Sequence, residues 1–191
     1  MKAKELLAML DVLDKKGVWC FDMPMFSLFF LNESQNSINH SLKRHVKNGI
    51  IVNVCKGFYA NPRAKSKPAF PICSLARIIR SSDRFYVSYE TALSNYGIIS
   101  QIPFRLTLAT SGRSQVYNTP YGVLEFTHSN RVFQVFDDKE CVRSDLYDGL
   151  FCASPKIAVR DAVRAKRNSW LIDYDEIDEA TNDFNKIKEA V

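Results

Sequence analysis

Between Phe21 and Asn61 the chain reads FDMPMFSLFFLNESQNSINHSLKRHVKNGIIVNVCKGFYAN, and nearly every residue in that stretch narrows the fold. Asp22 and Pro24 open a short apolar helix bearing Phe26, Leu28, Phe29 and Phe30, because Asp accepts free backbone N–H groups at a helix start and Pro suits the first turn. Leu31 to Glu33 form a turn. Ser34 then caps a second helix in which Ile38, Leu42 and Val46 recur every four positions, giving a single stripe for a core. Asn48 and Gly49 end it. Ile50 to Val54 and Phe58 to Ala60, parted by Cys55, Lys56 and Gly57, predict a tight hairpin. Helix, turn, helix and hairpin in that order spell a winged helix-turn-helix.

Projected at about 100° per residue, the second helix places Asn36, Ser37, His40, Lys43, Arg44 and Lys47 opposite the stripe. Gln35 and Asn39 fall nearer the core boundary. Amides come first and cations later, which is the order a helix needs if its N-terminal turn reads base edges while later turns run along phosphates. Asn bonds adenine bidentately, His donates to or accepts from a base edge, and Lys and Arg neutralise phosphate oxygens. Lys56 at the hairpin tip adds a contact to a flanking groove. The alternative is an ordinary solvated helix face.

Charge is divided to match. Residues 1–68 hold eleven Lys and Arg against five Asp and Glu, whereas residues 69–191 hold fifteen against sixteen. A basic first part on a balanced remainder suggests a polyanionic partner for that part. Helix plus hairpin favours duplex DNA over RNA, whose readers more often display aromatics on a sheet or a Gly-rich clamp.

With 46% hydrophobic residues the 191-residue chain can bury two modest cores. Cys20, Cys55, Cys73, Cys141 and Cys152 form an odd set without CxxC spacing, and no leader is expected ahead of the first helix, so a reducing cytoplasmic setting fits best. His40, His45 and His128 are too scattered for zinc spacing, and neither metal nor cofactor is expected. The longest mostly apolar run, near Met23 to Leu31, is far short of the roughly 20 residues of a membrane span.

Lys2 to Lys15 predicts a first helix through Leu6, Leu7, Met9, Leu10 and Leu13, and Val18 to Phe21 a short strand pairing with the hairpin. NPRAKSKPAFP, residues 61–71, reads as a linker. The expected organisation is α+β: a winged helix-turn-helix DNA-binding domain over 1–67 and a mixed α/β domain with an antiparallel sheet over 68–191. In the second domain Ile72 to Arg80 and Ser88 to Tyr96 predict helices. Phe104 to Thr110, Gln115 to Asn118, Val123 to Thr127 and Arg131 to Phe136 predict strands. Ser154 and Pro155 start a helix through Lys166. Asp175 to Val191 predicts a last helix with Ile177, Ala180, Phe184 and Ile187 on one face, docked on its own domain or forming a dimer seam.

YVSYETALSNYGIISQIPFRLTLATSGRSQVYNTPYGVLEF followed by CASPKIAVRDAVR resembles the AbiEi antitoxin family, and the resemblance runs across nearly the whole chain. Its clearest pieces are Ser88 to Leu93 with Gly97 after them, the turn Asn118 to Gly122, and Ala153, Ser154 and Pro155 followed by Asp161. Gly57, Phe58 and Tyr59 meet the family's Gly-x-Tyr at the wing end. The resemblance implies an N-terminal winged helix, a C-terminal antitoxin domain, repression of the protein's own operon through promoter repeats, and antagonism of a nucleotidyltransferase-like toxin encoded beside it. It does not decide whether the two proteins touch, or how many copies sit on the DNA. None of the matching pieces is a catalytic signature.

Three further patterns compete for a role. Lys156, Arg160, Arg164 and Arg167, spaced by four, four and three, form a cationic ridge if one helix holds them all; it would grip phosphates or an acidic partner, or be a solvated face balanced by Asp161. Asp137, Asp138, Lys139, Glu140, Asp145 and Asp148, with Glu125 as a loose strand carboxylate, allow a metal-dependent nuclease or a charged loop. Ser111 to Ser114 lacks the Gly-Lys-Ser/Thr ending of a phosphate loop and reads as a hairpin turn. A third function class, a protein-binding module that sequesters a toxin directly, stays open.

Overall fold

Asp22 ends one strand and starts the next helix at the same residue, its carboxylate accepting the Met25 N–H at 3.1 Å. That junction organises the first of two compact units in the computed structural model, which describes residues 1–189. The unit runs from Met1 to Ile79 and also takes in Asn118 to Tyr121. Its elements are α1 (Ala3–Lys15), β1 (Cys20–Asp22), α2 (Met23–Phe29), α3 (Gln35–Lys47), β2 (Val52–Cys55), β3 (Phe58–Ala60) and α4 (Pro71–Ile79). The three strands lie in the order β1–β3–β2, antiparallel throughout. Leu6, Leu10, Phe21, Phe26, Ile38, Leu42 and Ile51 form one buried cluster, so α1, α2, α3 and the first strand share a core. Of the four apolar residues expected in that second helix only Phe26 is buried; Leu28 and Phe29 are exposed, and Phe30 follows α2 and is partly buried. Gly57 turns the hairpin at φ +85°, where a Cβ would be strained.

The stretch expected to be a linker is tied to this unit. Lys65 and Ser66 donate their backbone N–H groups to the Asp14 carboxylate at 2.9 Å each, and Asn61 donates to the Trp19 carbonyl at 2.8 Å. Tyr121 meets Trp19 edge-on at 5.5 Å, and Lys67 Nζ lies 5.7 Å from the Tyr121 ring centre. The compact unit therefore ends at Ile79, one helix beyond the cut expected near Lys67.

The second unit comprises Arg80 to Tyr117 and the chain from Gly122 onward. It holds β4 (Phe85–Val87), α5 (Tyr89–Asn95), β5 (Arg105–Thr110), the first three residues of β6 (Gln115–Thr119), β7 (Gly122–His128), α6 (Val132–Asp137), β8 (Cys141–Ser144), β9 (Leu150–Ala153), α7 (Pro155–Arg164) and α8 (Glu176–Glu189). The sheet order is β6–β7–β5–β4–β9–β8. The fold is thus α+β, but this sheet is mixed rather than antiparallel: β5 pairs in parallel with β7 and β4 with β9, while β4–β5 and β8–β9 are antiparallel. Burial accounts for the place of β6 and β7 in this order. β6 is largely exposed and suits an edge, whereas Leu124 and Phe126 of β7 are buried and belong beside β5.

Two expected elements change. Arg131 to Phe136, expected as a strand, caps and enters α6, because Val132 and Val135 three apart are the buried pair while Phe133 is exposed. The helix from Ser154 stops at Arg164, and Lys166 and Asn168 take left-handed backbone at φ +54° and +45°. α8 buries Ala180 and Phe184 and leaves Ile187 half exposed; Ala190 and Val191, at the end of that expected helix, lie outside the described residues. No helix among the described residues is long and apolar enough to cross a membrane.

Candidate nucleic-acid interface

Ser34 starts α3 by accepting the Ser37 N–H at 3.3 Å. From there the helix separates two sets of side chains. Ile38, Ser41, Leu42 and His45 are buried, while Gln35, Asn36, Ser37, Asn39, His40, Lys43, Arg44 and Lys47 are all exposed. Gln35 and Asn39, expected nearer the core boundary, are outward as well. Lys56 is exposed at the turn between β2 and β3. The structure thus puts eight of the nine sequence-selected residues on α3 and the ninth at the hairpin tip.

These residues differ in how firmly they are held. Ser37 Oγ donates to Glu33 Oε2 at 2.8 Å, Gln35 Oε1 accepts from Ser27 Oγ at 3.4 Å, and Arg44 donates to the Met1 carbonyl at 2.9 Å. Asn36, Asn39, His40, Lys43, Lys47 and Lys56 have no hydrogen bond or ion pair among the described residues, so their polar ends are available to a ligand. Glu33 is a carboxylate beside the start of α3. It accepts from Ser37 and from the terminal ammonium of Met1, and these hydrogen bonds hold it below the usual carboxylate range. His45 faces inward; burial pushes its imidazole down, against the bond to the Met1 carbonyl. An imidazole therefore fills an inward slot of α3 that the four-residue stripe did not mark.

The cationic ridge does not form as spaced. Lys156 and Arg164 are exposed on α7, but Arg160 is half-buried and pairs with Asp161 at 3.1 Å. Arg167 lies past the end of α7. Its guanidinium bonds Glu90 at 3.0 Å and Glu125 at 2.7 Å and covers the Tyr89 ring at 5.0 Å. Arg105 adds a second bond to Glu125 at 2.6 Å.

The nuclease carboxylates are likewise dispersed among other partners. Glu125 is held by those two arginines, and Glu140 accepts from Ser154 Oγ at 2.8 Å. Among the described residues no group of three or more His, Cys, Asp or Glu side chains is placed to hold a metal ion. Ser111 to Ser114 form a turn: Ser111 Oγ accepts from the Arg84 N–H and Ser114 Oγ from the His128 N–H. Gly112 sits so tightly there that a Cβ would fall 2.1 Å from Asp83 Oδ2.

Sequence reasoning missed the buried set around Asp161. Tyr86 and Ser88 each donate to Asp161 Oδ2 at 2.9 Å. The signal was present in part, since Ser88 and Asp161 sit inside the two most recognisable stretches of the chain. Neither a protein-family model nor a curated protein matches the sequence.

Proposed function

We propose that this chain is a cytoplasmic DNA-binding transcriptional repressor and the antitoxin of a toxin–antitoxin operon, akin to the AbiEi family. Its first unit acts as a winged helix-turn-helix that reads promoter repeats with α3 and flanks them with the β2–β3 hairpin. The observation that carries the reading is the sorting of α3. Its apolar residues and His45 are inward, its amides and His40 are outward in the first turns, and Lys43, Arg44 and Lys47 follow. Such an order suits base contacts first and phosphate contacts after. The resemblance of the remaining chain to AbiEi antitoxins supplies the functional partner, a nucleotidyltransferase-like toxin.

A gel shift on the DNA upstream of the operon, run over a salt series, tests the reading. Four cations, Lys43, Arg44, Lys47 and Lys56, predict a log–log salt slope of about −3 to −4. Retarded repeats that resist competition by unrelated duplex support it. Equal affinity for every duplex, or no shift at low salt, overturns it. Co-expression with the neighbouring toxin gene tests the antitoxin half by growth rescue.

A further inference from the structure

Of the four cations expected to form a ridge, Arg160 and Arg167 have carboxylate partners, whereas Arg164 has none among the described residues. Arg164 instead lines a cleft of about 550 Å³ with Arg131, which also lacks an ion-pair partner among the described residues. That volume lies in the range of about 300–1,000 Å³ typical of small-molecule sites. Thr127, His128, Ser129 and Asn130, at the end of β7 and the loop after it, form one wall. Tyr89 and Asp161 are the buried residues of the lining.

The lining is rich in donors that the protein leaves uncommitted. Thr127 Oγ1 accepts from Arg167 and Ser129 Oγ from the Arg131 N–H, so both hydroxyl protons remain to be donated. Asp161, the carboxylate of the cleft, already receives Tyr86, Ser88 and Arg160. Tyr89 adopts φ +55°, a conformation that a bulky side chain takes only when its surroundings enforce it. Two guanidiniums without an ion-pair partner among the described residues, together with two hydroxyl donors, select a ligand that only accepts.

We propose that this cleft binds the phosphate group of a phosphorylated ligand, clamped between Arg131 and Arg164. The site is separate from α3, and its test reads a different signal from the operator gel shift. Calorimetric titration of the full chain with AMP and with pyrophosphate, at fixed ionic strength, should give saturable binding. Arg131→Gln and Arg164→Gln should each weaken it about tenfold or more, the cost of one charge-assisted hydrogen bond. Lys156→Gln, on the same helix, should leave it unchanged. A measurement on the unaltered chain guards against misfolded variants: AMP should protect Arg131 and Arg164 from phenylglyoxal, read by peptide mass. Displacement of AMP by unrelated duplex would assign the clamp to backbone phosphates, and indifference to duplex would assign it to a small molecule. Absence of saturable binding, equal binding by the Gln variants, or no protection overturns the proposal.

Discussion

Ser88 Oγ donates a 2.9 Å hydrogen bond to Asp161 Oδ2 across 73 residues of chain, joining the residue before α5 to the middle of α7. Tyr86 donates to the same oxygen at 2.9 Å, and Arg160 approaches Oδ1 at 3.1 Å. Burial and the adjacent carboxylate push the Tyr86 hydroxyl up, so it stays protonated and donates. A carboxylate this buried is tolerable because Tyr86 and Ser88 donate protons to it and Arg160 supplies a positive charge.

Asp161→Ala should therefore cost about 3–5 kcal/mol, because it strands two buried hydroxyls and a half-buried guanidinium. Ser88→Ala should cost about 1.5–3 kcal/mol, the loss of one hydrogen bond to a charged group. Urea denaturation measures both. A loss below about 1 kcal/mol for Asp161→Ala would mean that the network contributes nothing to stability.

Glu125 gives the second unit an acid sensitivity. Burial acts to raise its carboxyl, but the bonds and charges of Arg105 and Arg167 outweigh it and hold the group below its usual range. A carboxyl depressed in the folded state contributes stability that is complete above its unfolded value of about 4.3 and is lost as pH falls through the lower folded value. Glu125→Gln should flatten the stability profile below about pH 4.3 and leave its shape near neutrality unchanged. Thermal melts across acidic buffers show this directly, and an unchanged acid limb contradicts it.

Under the repressor reading, the two ends of α3 should fail differently. Asn36→Ala or His40→Ala should lose about 1–3 kcal/mol on the operator and relax the sequence preference. Lys47→Ala should weaken all duplexes alike and flatten the salt slope by about one unit. Competition gel shifts separate the two; identical effects on operator and random DNA would refute the base-reading assignment of Asn36 and His40.

Gly112→Ala should displace Asp83, whose Cγ lies 2.6 Å from the position of the added Cβ, and so break the 2.8 Å pair between Asp83 and Arg80. Arg80 would keep the Arg113 carbonyl and the Tyr117 and Phe126 rings. A loss of about 1–3 kcal/mol is expected. In a double-mutant cycle, Gly112→Ala should cost markedly less once Asp83 is Ala. Strict additivity would show that the clash lies elsewhere.

Local chemistry made much of the first unit readable. Asp22 and Ser34 start their helices where a side-chain oxygen can take a free N–H, and Gly57 turns the hairpin where positive φ is required. What stayed hidden is what depends on distant chain. β8 (CVRS) and β9 (LFCA) are four residues each, too short to show a clear period, and are held by pairing with each other and of β9 with β4. Arg167 looked like the next residue of a ridge; Glu90 and Glu125, 77 and 42 residues away, take it out of the row. Over the six residues RVFQVF, apolar side chains occur at both two- and three-residue spacings, and burial of Val132 and Val135, three apart, decides for a helix. The candidate α3 surface was legible because helical geometry alone fixes it, whereas the Arg131–Arg164 cleft needs the β7–α6 loop to meet the end of α7.

The division of α3 into an inward set and an outward set that share no residue has an evolutionary reading. Substitutions at Asn36, Asn39, His40 and Lys43 fall outside the buried cluster, where exchanges ordinarily change stability by no more than about 0.5 kcal/mol. The scaffold therefore leaves its outer lettering free to drift, and descendants of one ancestor can diverge in what they recognise long before they diverge in shape.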